Sequence, residues 1–150
     1  MLLKRARLLA VIAGAAGLLW ACAGLKISHS APDKAEADGR AAVAGLVSDY
    51  QDRLAEPFFR RFDQERFPNY EGFRNDTRQF LLRVRQISIQ MIVDRALSSG
   101  DGVAVDAHWN RSLVGRTGGT KVSQGTCSFI FTRSPSGALL LASIRGQSPF

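Results

Sequence analysis

The chain has 150 residues, enough for a single domain with its own hydrophobic core. Its formal charge is +7, but Lys4, Arg5 and Arg7 sit in the first few residues, and without them the balance is about +4. Basic residues are spread from Arg53 to Arg145 among acids and not clustered, a pattern that argues against a nucleic-acid footprint.

Met1 to Arg7 carries three positive charges and no acid, and Leu8 to Leu19 is apolar with Gly14 and Gly17 inside it. An apolar run of that length falls short of the ~20 residues of a spanning helix and has the proportions of a secretion signal over residues 1–21. Leu19-Trp20-Ala21-Cys22 resembles the lipobox of bacterial lipoproteins. The resemblance implies Cys22 as the lipidated first residue of the mature protein. It also implies anchorage in the bacterial cell envelope and, with Ala23 following the Cys, an outer-membrane lipoprotein facing the periplasm. Cleavage after an Ala-x-Ala pattern and an uncleaved anchor are the competing readings. Residues 22–39, with Ser28, Ser30, Pro32 and Gly39, show no apolar period and read as a tether to a domain over residues 40–150.

From Ala41 the apolar residues Val43, Leu46, Val47, Tyr50 and Leu54 recur at helical steps, and Pro57 is expected to end or kink that helix. Phe58, Phe59 and Phe62 form an aromatic group. Asn69 is placed to cap a second helix carrying Tyr70, Phe73, Thr77, Phe80 and Val84, with Gly72 weakening its first turn. The Arg-rich helical region from Arg53 to Arg85 is interspersed with acids and reads as a salt-bridged solvent face.

After Gln86 the period becomes two. Four strands are expected: one from Ile87, one from Val103, one over Lys121–Arg133 and one over Ala138–Arg145, separated by turns rich in Gly and Ser. Helices followed by a strand meander give an α+β fold, with N-terminal helices packed on a curved, mostly antiparallel four-stranded sheet. A three-residue loop, Ser99–Asp101, would pair Val93 with Ala107 and Met91 with Trp109. It would also set Asp94 opposite Asp106, with His108 nearby, on the face away from the helices. The apolar inner face then carries no carboxylate and no His.

This order of elements resembles the nuclear transport factor 2-like superfamily, which includes SnoaL-like and ketosteroid isomerase-like proteins. The resemblance spans about Ala41 to Gln147. Its most telling parts are Ser98–Asn110, a turn and a strand ending in His-Trp, and the closing strand Ala138–Gln147. It implies a cone of sheet and helices, often around a pocket, and both enzymes (isomerases, cyclases, hydratases) and non-catalytic binding domains share it.

The expected pocket residues are Met91, Val105, Trp109, Phe129 and Tyr70. The candidates for acid–base work are Asp94, Asp106, His108 and Tyr50, since paired carboxylates can have one raised pKa, but a solvated outer face is the favoured reading of the two Asp. Arg95, Arg111 and Arg145 lie on or near the ends of inner-facing runs and are placed to ring a pocket mouth. Cys127, between apolar neighbours, reads as a small buried hydrophobe. Gly115–Lys121 fails as a phosphate loop, because it joins two strands and lacks the Gly-Lys-Ser/Thr ending. No Cys/His set has metal-ligand spacing, so neither metal nor cofactor is expected. The favoured function is an envelope-anchored binding or interaction domain holding a small apolar ligand. An isomerase, cyclase or hydratase and a homodimer packed through its sheets are the alternatives.

Overall fold

A computed structural model describes residues 34–150. The signal segment, Cys22 and the start of the tether lie outside the described residues.

Helix α1 spans Lys34–Gln51 and begins seven residues before the first apolar repeat legible in the sequence. Lys34 to Gly39, expected in the tether, therefore belong to the helix. The reason is the size of its inner residues: Ala35 and Gly39 are buried along with Val43, Leu46, Val47 and Tyr50, and small residues carry little hydrophobic signal. The helix stops well before Pro57. Arg53 takes a left-handed conformation (φ 58°), its N–H meets the Tyr50 carbonyl, and the Leu54 N–H reaches back to the Asp49 carbonyl. That is a Schellman ending built on Arg instead of Gly, and the Arg53 guanidinium is held by the Val84 carbonyl at 3.1 Å.

Helix α2 is a single turn, Ala55–Phe59, with Pro57 in its first turn, where a missing N–H costs nothing. Helix α3 covers Tyr70–Arg83. Asn69 does precede it, but in a left-handed conformation and without a side-chain cap; its amide folds over Gly72, where a Cβ would come within 2.4 Å of it. The helical arginines pair as the sequence suggests: Arg78 with Glu56, Arg74 with Glu56 and Glu71, Arg66 with Asp63.

Four antiparallel strands follow in the order of the chain: β1 (Val84–Ser99), β2 (Gly102–Gly115), β3 (Thr120–Arg133) and β4 (Leu139–Gly146). Gly115–Lys121 is a hairpin connection, with Gly118 and Gly119 at positive φ. Both sheet edges are partly covered. Arg40 and Gln51 of α1 bond the Val93 carbonyl and the Ile89 N–H of β1, while the chain after α2 exchanges backbone bonds with Leu141 of β4.

Val93 does face Ala107 and Met91 does face Trp109, yet the connection is a two-residue turn, Gly100-Asp101. The count is restored by a β-bulge at Asp94, after which Arg95 pairs with Asp106. The bulge inverts the alternation beyond it. Ala96 is buried and Arg95 points outward. Asp94 and Asp106 are therefore not cross-strand partners.

The core lies between the inner sheet face and the helices. Val103, Val105, Phe129 and Phe131 from the sheet meet Leu46, Tyr50, Phe58 and Phe62 from the helical side.

Candidate functional site

On α3, Phe73, Asp76, Thr77 and Phe80 stand at helical steps along one face. Tyr50 comes from the last turn of α1, Arg111 from the far half of β2, and Phe150 from the segment after β4. Together they line a cleft of about 300 Å³.

Arg111 is the cation of this cleft. Its Nη1 donates to the Pro149 carbonyl at 2.8 Å, its Nε to Ser123 Oγ at 3.3 Å, and its guanidinium lies 5.6 Å from the Trp109 ring centroid. Among the described residues no carboxylate lies within ion-pair distance of it. Tyr50 is buried, and burial pushes its hydroxyl up to about 12, against the opposing charge and hydrogen bond of Arg111. At neutral pH Tyr50 is therefore a proton-bearing donor.

The segment after β4 closes one side of the cleft. Gly146 turns the chain at φ 85°, where a Cβ would sit 2.8 Å from the Thr126 carbonyl. Gln147 then bonds back to Thr126 through its N–H and accepts the Trp109 indole N–H at 2.9 Å. Pro149 is fully buried, and the Phe150 ring centroid lies 5.1 Å from those of both Tyr50 and Phe58 and 6.1 Å from that of Phe129. The chain's own aromatic residues thus fill much of the space between sheet and helices.

Of the residues expected from the sequence, Tyr50 and Arg111 line this cleft. Val105 and Phe129 are fully buried in the core beneath it. Trp109 is buried under the Gln147 carbonyl. Met91 lies half-buried in a separate groove beside α1, lined also by Val43, Val47 and Ile89. Tyr70 is buried at the start of α3, against Phe62, with its hydroxyl 3.5 Å from the Phe59 carbonyl. Asp76 is exposed, in keeping with a salt-bridged solvent face, and lines the cleft from there; no sequence pattern singles it out. Phe150 was missed because no periodic pattern includes it.

Asp94, Asp106 and His108 stand on the outer sheet face, away from the cleft. His108 Nδ1 is 2.8 Å from Asp94 Oδ1, and both side chains are half exposed. Asp106 accepts from Ser128 Oγ at 2.6 Å and from Arg95 Nη2 at 2.5 Å, and these bonds, Ser128 first, hold its carboxyl below the usual range. Arg95 and Arg145 are on this face too, in one cross-strand row with Asp106 and Ser128, so neither reaches the cleft mouth. The face is less polar than its Asp and Asn residues suggest: Ile92, Leu97 and Val122 are all more than half exposed on it. Cys127 is buried, and burial, with the Asp106 charge, pushes its thiol up to about 11, which suits a packing residue and not a nucleophile. Among the described residues no group of three or more His, Cys, Asp or Glu is placed to hold a metal ion.

No protein-family model matches the chain, and no curated protein matches it. Solved structures do. A ketosteroid isomerase-like protein from Erwinia carotovora atroseptica superposes with a TM-score of 0.64 at 12% identity, over 78% of this chain and 99% of that one. A nuclear transport factor 2-like superfamily protein from Salmonella enterica serovar Typhimurium gives 0.61 at 11%, over 73% and 87%. A conserved protein from Planctomyces limnophilus gives 0.65 at 16%, over 74% and 96%. At these identities the likeness is one of architecture, and it agrees with the helices and the four-stranded antiparallel meander described above: the domain has the nuclear transport factor 2-like α+β fold, its sheet curved.

Proposed function

We propose that this protein is a non-catalytic binding domain, anchored to the cell envelope through Cys22, that holds a small, largely apolar ligand in the cleft between α1, α3 and β2. One observation carries the reading: the groups with the best acid–base credentials in the sequence, Asp94, Asp106 and His108, stand on the opposite face of the sheet from the cleft. A general base must reach its substrate's proton within hydrogen-bond distance. The cleft offers aromatic surface, a protonated Tyr50 and the fixed charge of Arg111, which suit recognition. Anchorage rests on the lipobox-like segment ending at Cys22, with the outer membrane as destination and the domain facing the periplasm.

The isomerase-type alternative has one foothold, Asp76, the carboxylate that lines the cleft. Native mass spectrometry of the full chain, extracted from a bacterial host in detergent, tests the choice. A retained small-molecule mass that disappears in Arg111→Gln supports binding in the cleft. Turnover of such a molecule, lost in Asp76→Asn at unchanged melting temperature, would replace the proposal by the enzyme reading. Membrane release and loss of acyl labelling in Cys22→Ser is the matching expectation for the anchor; unchanged membrane association would refute it.

A further inference from the structure

We propose that the ligand class of the cleft is a monoanionic arylalkanoate, an aromatic ring joined by a short link to one carboxylate, and that it binds by displacing the chain's own Gln147–Phe150 segment. This rests on the binding reading given above and names what is bound.

The segment already presents both halves of such a molecule. The Pro149 carbonyl oxygen takes a hydrogen bond from Arg111, and the Phe150 ring enters the aromatic group of Tyr50 and Phe58. Between that carbonyl carbon and the ring stand the N, Cα and Cβ of Phe150. A carboxylate joined to a phenyl ring through three methylenes, 4-phenylbutyrate, has the same spacing.

The carboxylate is the better partner for Arg111. The guanidinium has no carboxylate within ion-pair distance among the described residues and is satisfied by neutral oxygens. A carboxylate adds a full opposite charge that the neutral carbonyl lacks, and the planar guanidinium fork can take both of its oxygens. The Tyr50 hydroxyl, protonated at neutral pH, supplies a further donor. Asp76 sets the limit on charge. It lines the same cleft from α3, so a second negative charge on the ligand would meet a like charge.

Displacement breaks three hydrogen bonds, the Gln147 N–H to Thr126, the Trp109 indole to Gln147 and Arg111 to Pro149, and the ring contacts of Phe150 with Tyr50 and Phe58 that it gives up are remade by the ligand's own ring. It is nonetheless an intramolecular competitor, present at an effective concentration in the mM range. Free ligand therefore binds the intact chain weakly, and weakening the competitor strengthens binding.

The test is calorimetric titration of the full chain in detergent with 4-phenylbutyrate and its neutral amide, 4-phenylbutyramide. The expected result is at least tenfold preference for the carboxylate, abolished in Arg111→Gln and increased a few-fold in Asp76→Asn. Phe150→Ala should bind the carboxylate at least tenfold more tightly than the parent chain. Should Phe150→Ala fail to fold, the comparison of the parent chain with Arg111→Gln decides on its own. Equal affinity for acid and amide, a preference that survives Arg111→Gln, or no binding of 4-phenylbutyrate by the parent chain and Asp76→Asn alike would overturn the inference. A neutral or cationic mass retained by the native protein and lost in Arg111→Gln would overturn it too, while leaving the binding role intact.

Discussion

Tyr50 and Cys127 are both weak acids shut away from water, and their environments make the fold sensitive to alkali. Tyr50 titrates near 12 in the folded chain against an ordinary 10, and Cys127 near 11 against 9. Desolvation is the first cause in each. A raised pKa means that the folded state holds its proton where the unfolded state has released it. The resulting stability is fully present below the unfolded pKa and is lost as pH rises through the folded value. The windows are thus pH 9 to 11 for Cys127 and pH 10 to 12 for Tyr50. For Tyr50 the loss is on the order of 3 kcal/mol, from ~1.4 kcal/mol per pKa unit. Urea unfolding from pH 8 to 12 should show the midpoint falling steadily, and Tyr50→Phe should flatten the part above pH 10 while leaving the Cys127 portion in place. An identical slope in the variant would mean that Arg111 compensates the hydroxyl fully. Sequence reading did see Cys127 as a buried hydrophobe, since its neighbours are apolar. It placed Tyr50 on an inner helix face but had no means of pairing it with Arg111, 61 positions away, because nothing local in either segment encodes that meeting.

At the scale of elements, the strands were legible and the corrections to them were physical. Alternation fixed the inner face of β1 and β2, because a one-residue slip would have turned every apolar side chain to water. The bulge at Asp94 was not legible: a three-residue loop and a two-residue turn plus a bulge give the same pairing of Val93 with Ala107. They differ only beyond the bulge, where Arg95 moves to the outer face and meets Asp106. The start of α1 was lost for a different reason. Its first turns are seated through Ala35 and Gly39, and Gly39 was read as tether. The structure gives it a packing role: a Cβ there would come within 2.9 Å of Val105 Cγ2 and 3.0 Å of Val103 Cγ1, both on fully buried side chains. Gly39→Ala therefore sets two effects against each other. Helix propensity favours Ala by about 1 kcal/mol, whereas overpacking a tight core costs about 1–3 kcal/mol. Packing wins because neither valine has room to move, and a net loss of roughly 1 kcal/mol should appear as a lower urea midpoint at unchanged slope. A stabilised Gly39→Ala would show that α1 does not rest on β2 as described.

Across the whole molecule the aromatic residues form one continuous body instead of the wall of an open cone. Phe58, from a helix of a single turn, is its hub. Its ring lies within 6.4 Å, centroid to centroid, of Tyr50, Phe59, Phe62, Phe73 and Phe150, which arrive from α1, α2, the chain behind it, α3 and the segment after β4. Elements that are distant in sequence therefore share one packing unit, and the domain should unfold in a single step. Removing the hub should cost about 3–5 kcal/mol, the range for Phe→Ala in a core. Against a total of about 5–15 kcal/mol for a domain, that is a large share. Phe58→Ala should accordingly lower the calorimetric melting temperature by more than about 10 °C while keeping one transition, since several degrees are lost per kcal/mol at this size. Two separate transitions would show that the helices and the sheet hold together independently. A shift of only a few degrees would mean that the neighbouring rings collapse onto the vacated space.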